Sequence, residues 1–242
     1  MDIIFGSAPQ LHHSVSRTEH HYRSVASRFL VGHCPLDHYG KKLGQDRQTD
    51  IEEKPQCYQL KPGEVEGWNP PNGETAVSAI KRALNALQVN AAPPHGFDTQ
   101  VLVCKGAVFH DDLHGWDNSL FLNWYVAGPP RDFIIAGIGR VTLNPGDVIL
   151  FDPSRPHSLV RKDMPKFSRA GWKNDSDEFS VFLSGDIALT PELDALFGIS
   201  RGSNKSFEAK GSVDTQTLVL NKNTGALTPP VARRKAAPAT AS

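Results

Sequence analysis

Three side chains in this sequence have the types and spacing for chemistry: His110, Asp112 and His157. His110 and Asp112 follow a β-branched, apolar run at residues 101–109 that reads as one mostly buried strand. Successive side chains on a strand point to opposite faces. His110 and Asp112 therefore share a face with Leu102, Cys104 and Val108, while Lys105 and Asp111 fall on the other. His157 opens a second short strand, directly after the turn residues Asp152, Pro153, Ser154, Arg155 and Pro156. Two imidazoles and one carboxylate on inward faces at strand mouths are what a 2-His-1-carboxylate facial triad requires. Such a triad fills half of an octahedral shell, leaves the other half open, and selects non-haem Fe(II). Two alternatives stay open: a slipped register would bring in His114 as a ligand, and the histidines could be hydrogen-bonded structural residues with no metal.

The elements that must position these residues are legible in part. Val141 to Leu143, the turn Asn144, Pro145, Gly146 and Asp147, and the run Val148 to Phe151 read as short strands with Pro/Gly punctuation leading to the second histidine. Residues 120–126 read as a strand with Phe121, Asn123 and Tyr125 on one face, residues 133–138 as a further buried strand, and residues 179–184 as the closing strand. Asn72, Gly73 and Glu74 open the clearest helix, in which Val77, Ile80, Leu84 and Leu87 recur at steps of three and four and must lie against a sheet. A second, short helix starts at Thr190 and Pro191 and stops at Gly198. Elsewhere the signals are mixed. Gly and Pro break residues 31–71 into expected short strands and loops, with 56–60 as an edge strand, and the stretches 41–55 and 162–177 read as loops without a motif. The pairs His12-His13 and His20-His21 fit a surface helix with adventitious metal affinity.

With His110, Asp112, His157 and the Pro-Gly-Asp hairpin at 145–147 quoted, the chain resembles the double-stranded β-helix oxygenases that use Fe(II) and 2-oxoglutarate. That superfamily carries His-x-Asp on one strand and a distal His some tens of residues later; here 45 positions separate Asp112 from His157. The resemblance covers roughly residues 101–187. It implies a mainly β jelly-roll core with peripheral helices, Fe(II) held by His110, Asp112 and His157, 2-oxoglutarate as cosubstrate, O2, and a hydroxylase-type oxidation. It also makes Asn123 and Tyr125 candidates for cosubstrate contact. One part of the pattern is missing. The family places an arginine about ten residues after the distal histidine with a hydroxyl two positions on, yet Phe167 stands at the tenth position. Arg169 lies near the expected spacing and Arg161 is in phase with His157 along the strand, so both are candidate anchors for the cosubstrate's far carboxylate. Two other readings remain: a cupin-like iron dioxygenase that works without 2-oxoglutarate, and a metal-free jelly-roll binding protein.

Composition sets the outer bounds. The 242 residues suit one domain, expected over 1–227 with its core at about 97–190, and a Ser/Ala/Pro-rich tail at 228–242 expected to be disordered. Lys plus Arg and Asp plus Glu both number 26, so no global basic footprint argues for nucleic acid, and the expected substrate is a small molecule or a local feature of a larger one. No apolar run reaches membrane-spanning length, and no basic start followed by an apolar core opens the chain. Cys34, Cys57 and Cys104 are odd in number and widely spaced, which fits a reducing cytoplasm. Nothing in the sequence fixes an oligomeric state.

Overall fold

The alternation read around His157 is realised as two facing antiparallel sheets. The computed structural model describes residues 2–5, 12–14, 21–94, 98–112, 118–162, 164, 178–203, 219–220 and 227–228. Among these the chain runs β1 (Asp2–Phe5), β2 (His12–Ser14), β3 (His21–Ser24), β4 (Arg28–His33), α1 (His38–Glu53), β5 (Val65–Trp68), α2 (Gly73–Ala86), β6 (Thr99–Cys104) and β7 (Ala107–His110). It continues through β8 (Ser119–Ala127), β9 (Arg131–Ile135), β10 (Gly139–Leu143), β11 (Asp147–Phe151), β12 (His157–Arg161), β13 (Ser180–Ala188), α3 (Pro191–Phe197), β14 (Arg201–Ser203), β15 (Val219–Leu220) and β16 (Leu227–Thr228). The large sheet has the order β1-β4-β11-β8-β13-β6-β5 and the small sheet β10-β9-β12-β7. From β6 to β13 the chain winds between the two, with β6, β8, β11 and β13 in the large sheet and β7, β9, β10 and β12 in the small one. That winding is a double-stranded β-helix, and the protein is mainly β as expected.

Strand β8 shows why the large sheet is buried on both faces. Its even positions, Leu120, Leu122, Trp124 and Val126, pack outward with Ile80 and Leu84 of α2 and Leu43 of α1. Its inward Tyr125 joins Phe29, Phe133, Phe151, Leu159 and Phe182 between the sheets. The α2 helix forms as its sequence predicts. The Asn72 side chain accepts from the Thr75 N–H at 3.0 Å, and Ala76, Ala79, Ile80, Ala83 and Leu84 form the buried stripe. The alanines keep this helix close to the sheet. In α3, Thr190 caps the start and Gly198, at φ 67°, ends it.

Several expectations are corrected. The stretch 41–55 is not a loop: α1 covers most of it, capped by Asp37, whose carboxylate accepts from the Gly40 N–H at 2.9 Å. Its buried face consists of Gly40, Leu43 and Gly44, so apolar periodicity is nearly invisible there. The glycines serve close approach, since a Cβ at Gly40 would lie 2.8 Å from Trp124 Cη2 and one at Gly44 would lie 2.9 Å from Ala127 Cβ and 3.0 Å from the Val126 carbonyl oxygen. Gly44→Leu is therefore expected to lower the urea midpoint by an amount worth about 1–3 kcal/mol at constant slope, because the facing atoms are backbone and strand-locked side chain. Unchanged stability would show that α1 rides free of the sheet.

The run 101–109 is two strands, not one. The chain turns at Lys105 and Gly106, the latter at φ 78°, and passes from the large sheet to the small one. Residues 12–14 and 21–24 are strands and not a helix, because β3 pairs with β2 on one side and β14 on the other. Residues 55–57 form a 3-10 turn, so 56–60 is not an edge strand; β5 takes that place. Residues 136–138 lie beyond β9 in a turn. Val219–Leu220 pairs with Leu227–Thr228, and residues 229–242 lie outside the described residues. No described helix is long and apolar enough to cross a membrane.

Candidate metal centre

The antiparallel pairing of β7 with β12 makes His110 and His157 register partners. Both imidazoles then stand at the same level of the small sheet, with ring centroids 4.3 Å apart. Asp112 lies two residues past His110, and its N–H donates to the Pro153 carbonyl at 3.0 Å, which ties the end of β7 to the turn that presents His157. His110 Nε2 is 3.7 Å from Asp112 Oδ1 and His157 Nε2 is 3.7 Å from Asp112 Oδ2. All three donor atoms fall within 4.8 Å of one another. Bonds of about 2.1 Å would set atoms on one octahedral face about 3 Å apart, and His110 and Asp112, each about a third exposed, have room to close that far.

The hydrogen bonds behind the rings fix what they present. His110 Nδ1 donates to the Val108 carbonyl at 2.7 Å and His157 Nδ1 to the Arg155 carbonyl at 2.9 Å. A carbonyl only accepts, so each Nδ1 carries a proton, and in the neutral form of each ring the Nε2 lone pair points toward Asp112. Burial, then the neighbouring His110, pushes the His157 imidazole well below its ordinary value, so a second proton is not available to bridge the gap. Burial raises Asp112, His110 opposes that, and Asp111 adds to it. At 3.7 Å neither histidine hydrogen-bonds the carboxyl. With both rings neutral, three acceptors face one point, an arrangement that a cation relieves. The donor set can hold a metal, and the carbonyl partners behind both rings are the usual support of such ligands.

The three side chains line a cavity of 410 Å³ whose other walls include Leu102, Cys104, Phe121, Asn123, Phe133, Leu159 and Phe182. Asn123 is 8% exposed and faces this cavity as alternation predicts. Tyr125 sits deeper, stacked on Phe182 at 4.6 Å, with its hydroxyl donating to the Pro129 carbonyl and lying 3.2 Å from Ser180 Oγ. Arg161 is exposed at the far end of β12 and does not line the cavity. Arg169 and His114 lie outside the described residues. Asp111 is not part of the three-residue group.

Two features escaped the sequence reading. Arg131, on β9, is fully buried and donates to Ser180 Oγ at 3.2 Å and the Glu178 carbonyl at 2.9 Å. It shares a strand face with the cavity-lining Phe133, and only its place two residues before Phe133 could have flagged it. The other feature is the brace behind His157. Arg23 pairs with Asp152 at 2.7 Å, Asp152 also accepts from the Ala26 N–H at 2.8 Å and the Ser154 N–H at 3.0 Å, and Arg155 donates to the carbonyls of Ala26 at 2.9 Å and Ala136 at 3.1 Å. Strand β3 thus locks the turn that delivers the second histidine.

Comparison with known proteins finds no matching protein-family model and no matching curated protein. Among solved structures, the chain is similar to a Pseudomonas putida prolyl-4-hydroxylase at 10% identity and a TM-score of 0.40, covering 66% of this chain and 92% of that one. It is similar to AviO1 from Streptomyces viridochromogenes Tue57 at 13% identity and a TM-score of 0.38, covering 74% and 94%. A salicylate 1,2-dioxygenase from Pseudaminobacter salicylatoxidans matches at 11% identity and a TM-score of 0.29, covering 71% and 38%.

Proposed function

We propose that the protein is an Fe(II)- and 2-oxoglutarate-dependent oxygenase in which His110, Asp112 and His157 hold the metal. The observation that carries this reading is the convergence of two imidazole Nε2 atoms, each with its Nδ1 held by a backbone carbonyl, and one carboxylate on the wall of a largely apolar cavity. Iron held by His110, Asp112 and His157 would supply oxygen activation, with one atom of O2 ending in succinate as 2-oxoglutarate loses CO2 and the other in a C–H bond of the substrate. The protein's part is placement. Phe133, Leu159 and Phe182 keep the chamber apolar, and the Val108 and Arg155 carbonyls hold the imidazoles in their ligating tautomer.

The cosubstrate's far carboxylate needs a cation, and Arg131 is our candidate. Four residue steps along β9 take it to Ile135, the register partner of His157, and at about 3.3 Å per step that is about 13 Å, a span that a five-carbon diacid and an arginine side chain bridge together. The Tyr125 and Ser180 hydroxyls stand beside it. An anaerobic absorbance titration of the Fe(II)-loaded protein with 2-oxoglutarate tests this. A weak visible charge-transfer band is expected to saturate, and Arg131→Gln to weaken 2-oxoglutarate at least about tenfold with iron retained, the loss of a charge-assisted bidentate contact. Arg161→Ala is expected to change nothing.

One observation favours a second reading. No lysine or arginine is among the described residues that line the cavity, which suits a cupin-like iron dioxygenase whose substrate itself chelates the metal. Iron binding with no response to 2-oxoglutarate would select that rival.

A further inference from the structure

The wall of the cavity formed by β8 and β13 carries acceptors that the metal centre does not use. Asn123 on β8 and Ser184 on β13 are register partners, and Gln100 of β6 is Ser184's partner on the other side. Asn123 and Gln100 both line the cavity, and Ser184 stands in register between them. Asn123 Oδ1 and Ser184 Oγ are buried, as is Asp186 Oδ1, and none of the three has a hydrogen-bond partner among the described residues. Asp186 lies on the same face of β13 as Ser184 and the cavity-lining Phe182 and pairs in register with the cavity-lining Phe121. Leaving such groups unpaired is costly, and a strand pair selected only for stability would avoid it with apolar residues.

We propose that this wall recognises a cationic, hydrogen-bond-donating group of the substrate, an amine or guanidine, with Asp186 as its counter-charge and Ser184 and Asn123 as acceptors beside it. The inference rests on the reading of the cavity as a substrate chamber and adds the chemical class of what enters. Charge around Asp186 supports it. The carboxyl is pushed up to about 7, first by burial and then by the carboxylates of Asp98, just before β6, and of Asp112. Three acidic groups near one another and a partly desolvated carboxylate favour an incoming cation over a neutral or anionic group. A metal at the His110, Asp112 and His157 set would take up the charge of Asp112 and leave those of Asp98 and Asp186 in place.

n-Butylguanidinium and the neutral, nearly isosteric n-butylurea are the probes, since both are weak metal ligands. Binding is measured by calorimetry at about pH 8, with and without Fe(II), on the parent and on Asp186→Asn. Butylguanidinium is expected to bind the parent at least about tenfold more tightly than butylurea, the difference a charge-assisted contact makes. Asp186→Asn, which keeps the shape, is expected to bring the two probes together while Fe(II) affinity stays at the parent value. Ser184→Ala is expected to weaken butylguanidinium more than butylurea. Equal binding of both probes by the parent, no binding of butylguanidinium, or a preference that survives Asp186→Asn would each overturn the proposal. Failure of the oxygenase reading is read separately, as absence of Fe(II) binding, because the probe preference is also measured without metal.

Discussion

Asp112→Ala is expected to lower Fe(II) affinity by about a hundredfold or more, whereas Asp111→Ala leaves it within about twofold of the parent; changes behind a metal ligand already cost ten- to a hundredfold, and loss of a ligand costs more. The reason is geometric. Asp112 presents one carboxylate oxygen to each histidine, and Asp111 lies outside the three-residue group. Metal content after anaerobic loading and desalting checks it. The opposite pattern, with Asp111→Ala losing iron and Asp112→Ala keeping it, would put the strand register wrong by one residue.

The second large effect is on stability. The Arg23–Asp152 pair has both side chains essentially inaccessible, and Asp152 gathers two backbone N–H groups as well. Asp152→Ala would leave a buried guanidinium without its counter-charge, and breaking a buried pair in this way costs about 3–5 kcal/mol. The same residue gives a pH dependence. Burial alone would raise the Asp152 carboxyl, but the hydrogen bond and charge of Arg23, with the Ala26 and Ser154 N–H groups, hold it below its ordinary value. A depressed carboxylate stabilises the fold fully above the unfolded-chain value of about 3.9 and loses that contribution as pH falls through the lower folded value. Urea unfolding of the parent is therefore expected to weaken as pH falls below about 4, and Asp152→Ala to show a shallower slope there. A parent and variant with the same acid limb would mean that Asp152 is not ionised in the fold.

The grouping of His110, Asp112 and His157 was legible in the sequence for a specific reason. A strand's period of two fixes which face His110 and Asp112 occupy, and the Pro-Gly-Asp turn announces the strand before His157, although the strands it joins, β10 and β11, lie in different sheets and form no hairpin. That phase survived the break at Lys105 and Gly106, since Leu102, Cys104, Val108, His110 and Asp112 all line one cavity. What failed to show followed from tertiary contact. The α1 helix was hidden because its sheet-facing positions are glycines, chosen for the backbone approach to Trp124 and Ala127 and not for an apolar stripe. The strands at 12–14 and 21–24 draw on partners far along the chain, β14 above all, which no local period reveals. Arg131 was missed because a buried arginine looks like a surface one until Ser180 and Glu178 are brought beside it by β13 and the residues before it.

X-ray absorption at the iron edge, on protein loaded anaerobically with one equivalent of Fe(II), tests the central claim most directly. The account predicts one ion per chain with imidazole scattering from two histidines, reduced to one in His157→Ala. Fe(II) that stays unbound, or bound iron whose shell contains no imidazole, would contradict it.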